Sequence, residues 1–142
     1  MDQSSYNKII NRFKVTPDLD CFASQDNAKC DLYYSKLPEA NSFGINFFYQ
    51  KLDPSHILYV CPPVSAIQRA WRKIVQTPNV VALLCVPYWR SHAYYADFLE
   101  TDRFKPCIKD FFMFKSHFVS KSESCLFNGV TNFEMLALLI KT

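Results

Sequence analysis

Two uninterrupted apolar runs with one amphipathic segment between them constrain this chain more than any other feature. Residues 56–60 read HILYV and residues 80–86 read VVALLCV. Both are strand-length and show no polar alternation, so each is expected to be a strand covered on both faces, over Ile57–Val60 and over 80–86. Between them Val64, Ile67, Trp71, Ile74 and Val75 recur at helical spacing, which predicts a helix over 65–76 with one buried face. Strand, helix, strand in this order is a crossover unit, and all-round apolar strands belong in a parallel sheet with helices on both sides. A further helix is predicted over 91–100, where Tyr94, Tyr95, Phe98 and Leu99 share a side.

The flanking segments fit that frame. Tyr6, Ile9, Ile10 and Phe13 mark a helix over 5–13 that starts at a serine cap and stops before Pro17. LDCFAS reads as a short strand running into a loop, NAKCDLYYS as a helical turn and then a strand, and GINFF as another short strand. The last forty residues read as two strands, CIKDFFMFKSHF and NFEMLALLIKT, separated by the polar SKSES segment and Asn128-Gly129. The expectation is one three-layer α/β domain over residues 1–142, with a mainly parallel sheet and an antiparallel strand pair at its C-terminal end. The alternative is an α+β domain in which the aromatic-rich C-terminal half forms a sheet of its own.

Composition removes several functions. The chain has 142 residues, of which 2 are glycine, against about 10 expected from average usage. Glycine-built phosphate and dinucleotide loops are therefore not expected, and no G-x-x-x-x-G-K-[ST], G-x-S-x-G or H-E-x-x-H occurs. The net charge of +3 permits a polyanion partner without demanding one. Cys21, Cys30, Cys61, Cys85, Cys107 and Cys125 form no C-x-x-C pair, and the Cys/His spacings are too wide for a metal site. Cys61 and Cys85 lie inside apolar runs and read as reduced core thiols of an intracellular protein, cytoplasmic or nuclear. No apolar run approaches the ~18 residues of a membrane span, and no signal peptide is read at the start.

In open parallel sheets, ligands bind outside the carboxyl ends of the strands where the strand order reverses. Three segments would lie along that edge: 20–24, 61–64 and 87–92. A cleft there is expected to gather Asp20, Phe22, Ser24, Cys61, Pro62, Pro63, Tyr88, Trp89 and Arg90. Gln68, Arg69, Arg72 and Lys73 share the polar side of the first predicted helix, as a solvated face or as a phosphate-contacting stripe. Tyr88, Trp89, Arg90 and His92 form a cation-and-aromatic cluster suited to base stacking, or to capping the core. His56 and His117 have no catalytic partner at useful spacing and read as surface or satisfied histidines.

In order along the chain, these segments resemble the phage-type DNA adenine methyltransferases and, more closely, the methyltransferase-like domain of DIRS-type retroelement polyproteins. Thr16-Pro17 precedes Leu19-Asp20-Cys21-Phe22-Ala23-Ser24, which looks like a D-x-F-A-S segment, and Asn27 with Tyr33-Tyr34-Ser35 matches an N-x-x-x…Y-S stretch. Gly44-Ile45-Asn46-Phe47-Phe48 sits where that family has G-x-D-x-F. Cys61-Pro62-Pro63-Val64 falls on its Pro-Pro motif, and Val86-Pro87-Tyr88-Trp89 on a following P-x-W strand end. Phe111 to Phe118 and Phe133 to Ile140 look like its C-terminal hairpin. The resemblance implies a Rossmann-like methyltransferase fold, S-adenosylmethionine (AdoMet) as cofactor, and DNA or RNA as partner, in the setting of a polyprotein.

It also assigns roles. Cys61, Pro62, Pro63 and Val64 occupy the catalytic motif, and Asp20, Phe22, Ala23 and Ser24 the cofactor-binding one; Arg69, Arg72, Tyr88, Trp89 and Arg90 are the candidate nucleic-acid contacts. The sequence departs from the family where the chemistry is done. Cys61 stands where an Asp, Asn or Ser accepts the target amine's protons, and a thiol accepts poorly. Val64 stands where an aromatic stacks on the flipped base. The expected function is a nucleic-acid-associated methyltransferase-like module from a mobile element, catalytically degenerate. An active AdoMet-dependent adenine methyltransferase and a protein-interaction scaffold, its cleft filled by its own aromatics, are the alternatives.

Overall fold

The computed structural model describes residues 1–120 and 129–142, with the backbone path alone for 117–120 and 129–133. Among the described residues seven strands form one mixed sheet: β1 (Leu19–Asp20), β2 (Leu32–Ser35), β3 (Gly44–Ile45), β4 (Ile57–Val60), β5 (Val81–Pro87), β6 (Ile108–Ser120) and β7 (Gly129–Lys141). Their spatial order is β3-β2-β1-β4-β5-β7-β6. The first five are mutually parallel, while β7 runs antiparallel to both β5 and β6. The C-terminal pair therefore extends the common sheet and does not make a separate one. A two-residue ladder, Leu99–Glu100 with Arg103–Phe104, stands apart from it.

Alternation along the central strands divides the core. Leu58 and Val60 of β4, Ala82, Leu84 and Val86 of β5, and Leu136, Leu138 and Ile140 of β7 pack on one face with Ile67, Ala70, Trp71 and Ile74 of α2 (Ile67–Gln76) and Tyr94 of α3 (Ala93–Asp97). Tyr59, Leu83, Cys85, Met135, Ala137 and Leu139 point to the other face, under Tyr6, Ile9 and Phe13 of α1 (Gln3–Phe13). Helix, sheet and helices make three layers, as expected for strands apolar on both faces. Among the described residues no helix is long and apolar enough to cross a membrane.

Local chemistry explains where the structure departs from the pattern. The cap of α1 is Asp2, not a serine: its carboxylate accepts from the Ser5 N–H at 3.2 Å. A 3-10 turn over Val64–Ala66 precedes α2, because the Pro62-Pro63 pair delivers an extended backbone, with Pro63 at ψ 153. GINFF is a strand for two residues only. Asn46 takes φ 61, which ends β3 and starts a 3-10 turn over Phe47–Tyr49. The helix expected over 91–100 spans five residues, since Leu99–Glu100 is drawn into its two-residue ladder. The SKSES segment beyond Ser120, Cys125 and Asn128 lie outside the described residues.

Candidate functional site

The strand order reverses between β1 and β4, because the chain leaves β1 toward β2 and β3 and leaves β4 toward β5. Beyond the carboxyl ends at that reversal lies a cleft of about 410 Å³. It is lined by Phe22, Ala23, Ser24 and Asn27 after β1, Ser35 and Lys36 at the end of β2, Asn46, Phe47 and Phe48 after β3, and Pro63, Ala66 and Arg69 after β4. Four loops that are remote in sequence meet there because parallel strands end on the same edge.

Asp20 shapes this cleft without lining it. It is 2% exposed, and its carboxylate accepts the N–H of Phe22 at 3.2 Å and of Lys29 at 3.0 Å. These two bonds close the loop after β1 from within. Burial raises its pKa from 3.8 to about 6, against the opposing pull of the two N–H donors. Asn27 tightens the same loop by accepting from the Ser24 N–H at 2.7 Å. On the opposite wall the Asn46 side chain accepts from the Phe48 N–H at 3.0 Å, and the Asn46 N–H donates to the Ser35 carbonyl at 2.7 Å. A residue at φ 61 that is not glycine is strained, and these bonds hold it.

The apolar part of the wall is a triangle of phenylalanines. Phe22 lies 5.0 Å from Phe47 and 5.9 Å from Phe48, centroid to centroid, and Phe47 lies 5.3 Å from Phe48. Phe22 and Phe48 are half-buried and show part of their rings to the cleft, while Phe47, fully buried, backs them. The Arg69 guanidinium, reaching across from α2, stands 4.1 Å above the Phe48 ring. Lys73, one turn on, is engaged elsewhere: its ammonium donates to the Phe47 carbonyl at 2.7 Å and to that of Gln50, fixing the 3-10 turn, and burial lowers its pKa. Gln68 donates to Asp97 at 3.1 Å. Of the four polar residues on that helix side, Arg69 and Arg72 remain exposed, beside a more open hollow of about 600 Å³ outside the cleft.

Of the segments expected along this edge, the structure brings two together. Phe22, Ala23 and Ser24 face Pro63 across the cleft. Cys61 does not face it: the residue packs with the α1-side core, and burial pushes its thiol above the ordinary range. Pro62 is buried and Val64 packs against the α2-side core. Tyr88, Trp89 and Arg90 do not line the cleft either. Tyr88 and Trp89 are half-buried against the α2-side core, with Tyr88 5.9 Å from Tyr95 and Trp89 6.1 Å from His92, and Arg90 is exposed. His56 is satisfied by Asp18 at 2.7 Å, and the His117 side chain lies outside the described residues.

Sequence reasoning did not assign Ser35, Lys36, Asn46, Phe47, Phe48 or Ala66 to the site. The signal for the middle three was available in Asn46-Phe47-Phe48, since an asparagine tolerates positive φ and so marks a turn where a strand was read.

The residues present do not fit AdoMet. Its sulfonium and ammonium are cations and call for a carboxylate on the wall. Among the described residues no carboxylate lines the cleft, Asp20 is committed to its own loop, and the charges on the wall are Lys36 and Arg69. No family model matches the chain, and no curated protein is similar to it.

Proposed function

We propose that this chain is a methyltransferase-like module of mobile-element type that associates with nucleic acid inside the cell and transfers no methyl group. The reading is supported by the placement of the two short motifs. The segment that looks like D-x-F-A-S starts on the last residue of β1, the Pro-Pro pair follows β4, and those are the strands that flank the reversal. The returning strand of the C-terminal pair inserts next to β5, in keeping with the hairpin that the resemblance implies. Methyl transfer to an amine needs an acceptor for its protons and a plate to hold the base; Cys61 is a poor acceptor, Val64 is no plate, and both are half-buried and packed against the core.

The observation that carries the proposal is the composition of the cleft wall: phenylalanine rings, two cations and, among the described residues, no carboxylate. Such a surface suits the bases and phosphates of a single strand. The test has two arms. With AdoMet carrying a labelled methyl group and adenine-containing DNA or RNA, the expected incorporation is that of the blank. With a fluorescent single-stranded oligonucleotide, binding is expected to weaken linearly in the logarithm of salt. Arg72→Gln, outside the cleft, is expected to reduce that slope by about 0.7. Methyl incorporation above the blank would replace this reading by the active enzyme, and no binding to any oligonucleotide would replace it by the scaffold.

A further inference from the structure

The polar groups of the cleft wall can be counted one by one. An asparagine side chain has one acceptor oxygen and two donor hydrogens. The Asn27 oxygen already accepts from the Ser24 N–H and the Asn46 oxygen from the Phe48 N–H, which takes one lone pair of each and leaves both pairs of amide hydrogens to offer. The single hydrogen of the Ser35 hydroxyl is spent on the Leu37 carbonyl at 2.6 Å, with the Ser42 hydroxyl 2.9 Å away. Glu39, behind the loop after β1, accepts from the Gln25 N–H and the Tyr33 hydroxyl. Lys36 and Arg69 have no acceptor to give. Among the described residues the wall thus presents two positive charges and amide donors, with no carboxylate of its own.

A wall of this kind selects an anion rich in acceptor oxygens. The phenylalanine triangle adds a second requirement, a flat ring, and the Arg69 guanidinium above Phe48 joins the two by placing a cation at the edge of the aromatic floor. A volume of about 410 Å³ is that of a small-molecule site and too small for a folded partner's loop. The Asn46 turn, held at φ 61 by bonds from both sides, means that the wall is shaped before anything binds.

We infer that this cleft is a nucleoside phosphate site, with the base against Phe22 and Phe48 and the phosphate on Lys36 and Arg69. The inference deepens the proposed function and rests on it for the choice of a nucleotide over other aromatic anions. The nucleotide has two possible sources, a free mononucleotide or one residue of a single strand, and the experiment separates them.

The full chain, labelled with nitrogen-15, is titrated with AMP, adenosine, AdoMet and a 5′-phosphorylated adenine trinucleotide while the amide signals of Ala23, Ser24 and Phe48 are followed. AMP is expected to move these signals and to bind at least tenfold more tightly than adenosine or AdoMet. Arg69→Gln and Lys36→Gln are each expected to weaken AMP about tenfold, the scale of one charge-assisted hydrogen bond, and to leave adenosine unchanged. Each variant's thermal midpoint is measured alongside, and both side chains lie at the surface. A trinucleotide that binds more than tenfold more tightly than AMP at the same amides assigns the site to a strand; an equal or weaker one assigns it to the free nucleotide. AMP binding no more tightly than adenosine, or equally well to both folded variants, overturns the site. Oligonucleotide binding that survives both substitutions, with AMP bound no more tightly than adenosine, overturns the site alone and leaves the proposed function standing.

Discussion

A strand-ending carboxylate that is 2% exposed must find its partners in its own backbone, and Asp20 finds them in the N–H groups of Phe22 and Lys29. Two donors do not cancel the cost of burial, so the folded pKa stands at about 6 against 3.8 for the free side chain. The sign follows from proton binding. Between about pH 4 and pH 6 the folded chain holds this proton more tightly than the unfolded chain does, so stability falls as pH rises through that window and levels off above it. The difference corresponds to about 3 kcal/mol. Urea denaturation between pH 4 and pH 7 is expected to show this loss in the native chain and not in Asp20→Asn; parallel curves for the two would remove Asp20 as its source. The same residue shows a limit of sequence reading. An acid at the end of a first strand looks like a cofactor ligand and serves here as a loop brace, and both uses require the same residue at the same place.

Elements were legible in proportion to how much of their pattern they keep to themselves. β4 spans Ile57–Val60 as its apolar run foretold, and β5 starts and ends one residue later than expected, after Asn79 turns the chain at φ 60. Both strands are written by burial on two faces, which no neighbour can undo. The apolar spacing overstates the five-residue α3, because Phe98 and Leu99 continue it past the point where the backbone leaves the helix. The cleft was half-legible for a related reason. The segments after β1 and β4 have motifs with a role attached, whereas Phe47 and Phe48 lie in a segment that reads as a strand and Lys36 enters the cleft only through a sheet order that joins distant parts of the chain. At the N-terminus the structure adds something the pattern did not hold. Asp2 caps α1 and also accepts from the Ser5 and Ser116 hydroxyls at 2.7 and 3.1 Å, tying the helix to β6. Asp2→Ala is expected to cost about 1–2 kcal/mol in chemical denaturation, the scale of a helix cap. A variant as stable as the native chain would show that the cap contributes nothing.

At the scale of the molecule, the two core clusters lie on opposite faces of the same strands, so neither can melt alone. Leu138 sits opposite Leu84 in the register of β7 and β5, and both are fully buried. Leu138→Ala is expected to cost about 2–5 kcal/mol and to lower the thermal midpoint by about 10 °C. Loss of β-sheet and aromatic circular dichroism in one shared transition is the accompanying expectation; two separated transitions would show the layers to be independent. The interior position of β7 has a consequence for how the chain is made. Its partner β5 is synthesised well before it: Val81 is in register with Lys141 and Pro87 with Met135. Until the stretch to Lys141 has left the ribosome, Val81–Pro87 is a bare sheet edge of apolar residues with unpaired backbone, the kind of edge that invites pairing with another chain. The nascent protein therefore passes through a stage in which an apolar strand edge is open, and that stage ends only when β7 slides in between β5 and β6.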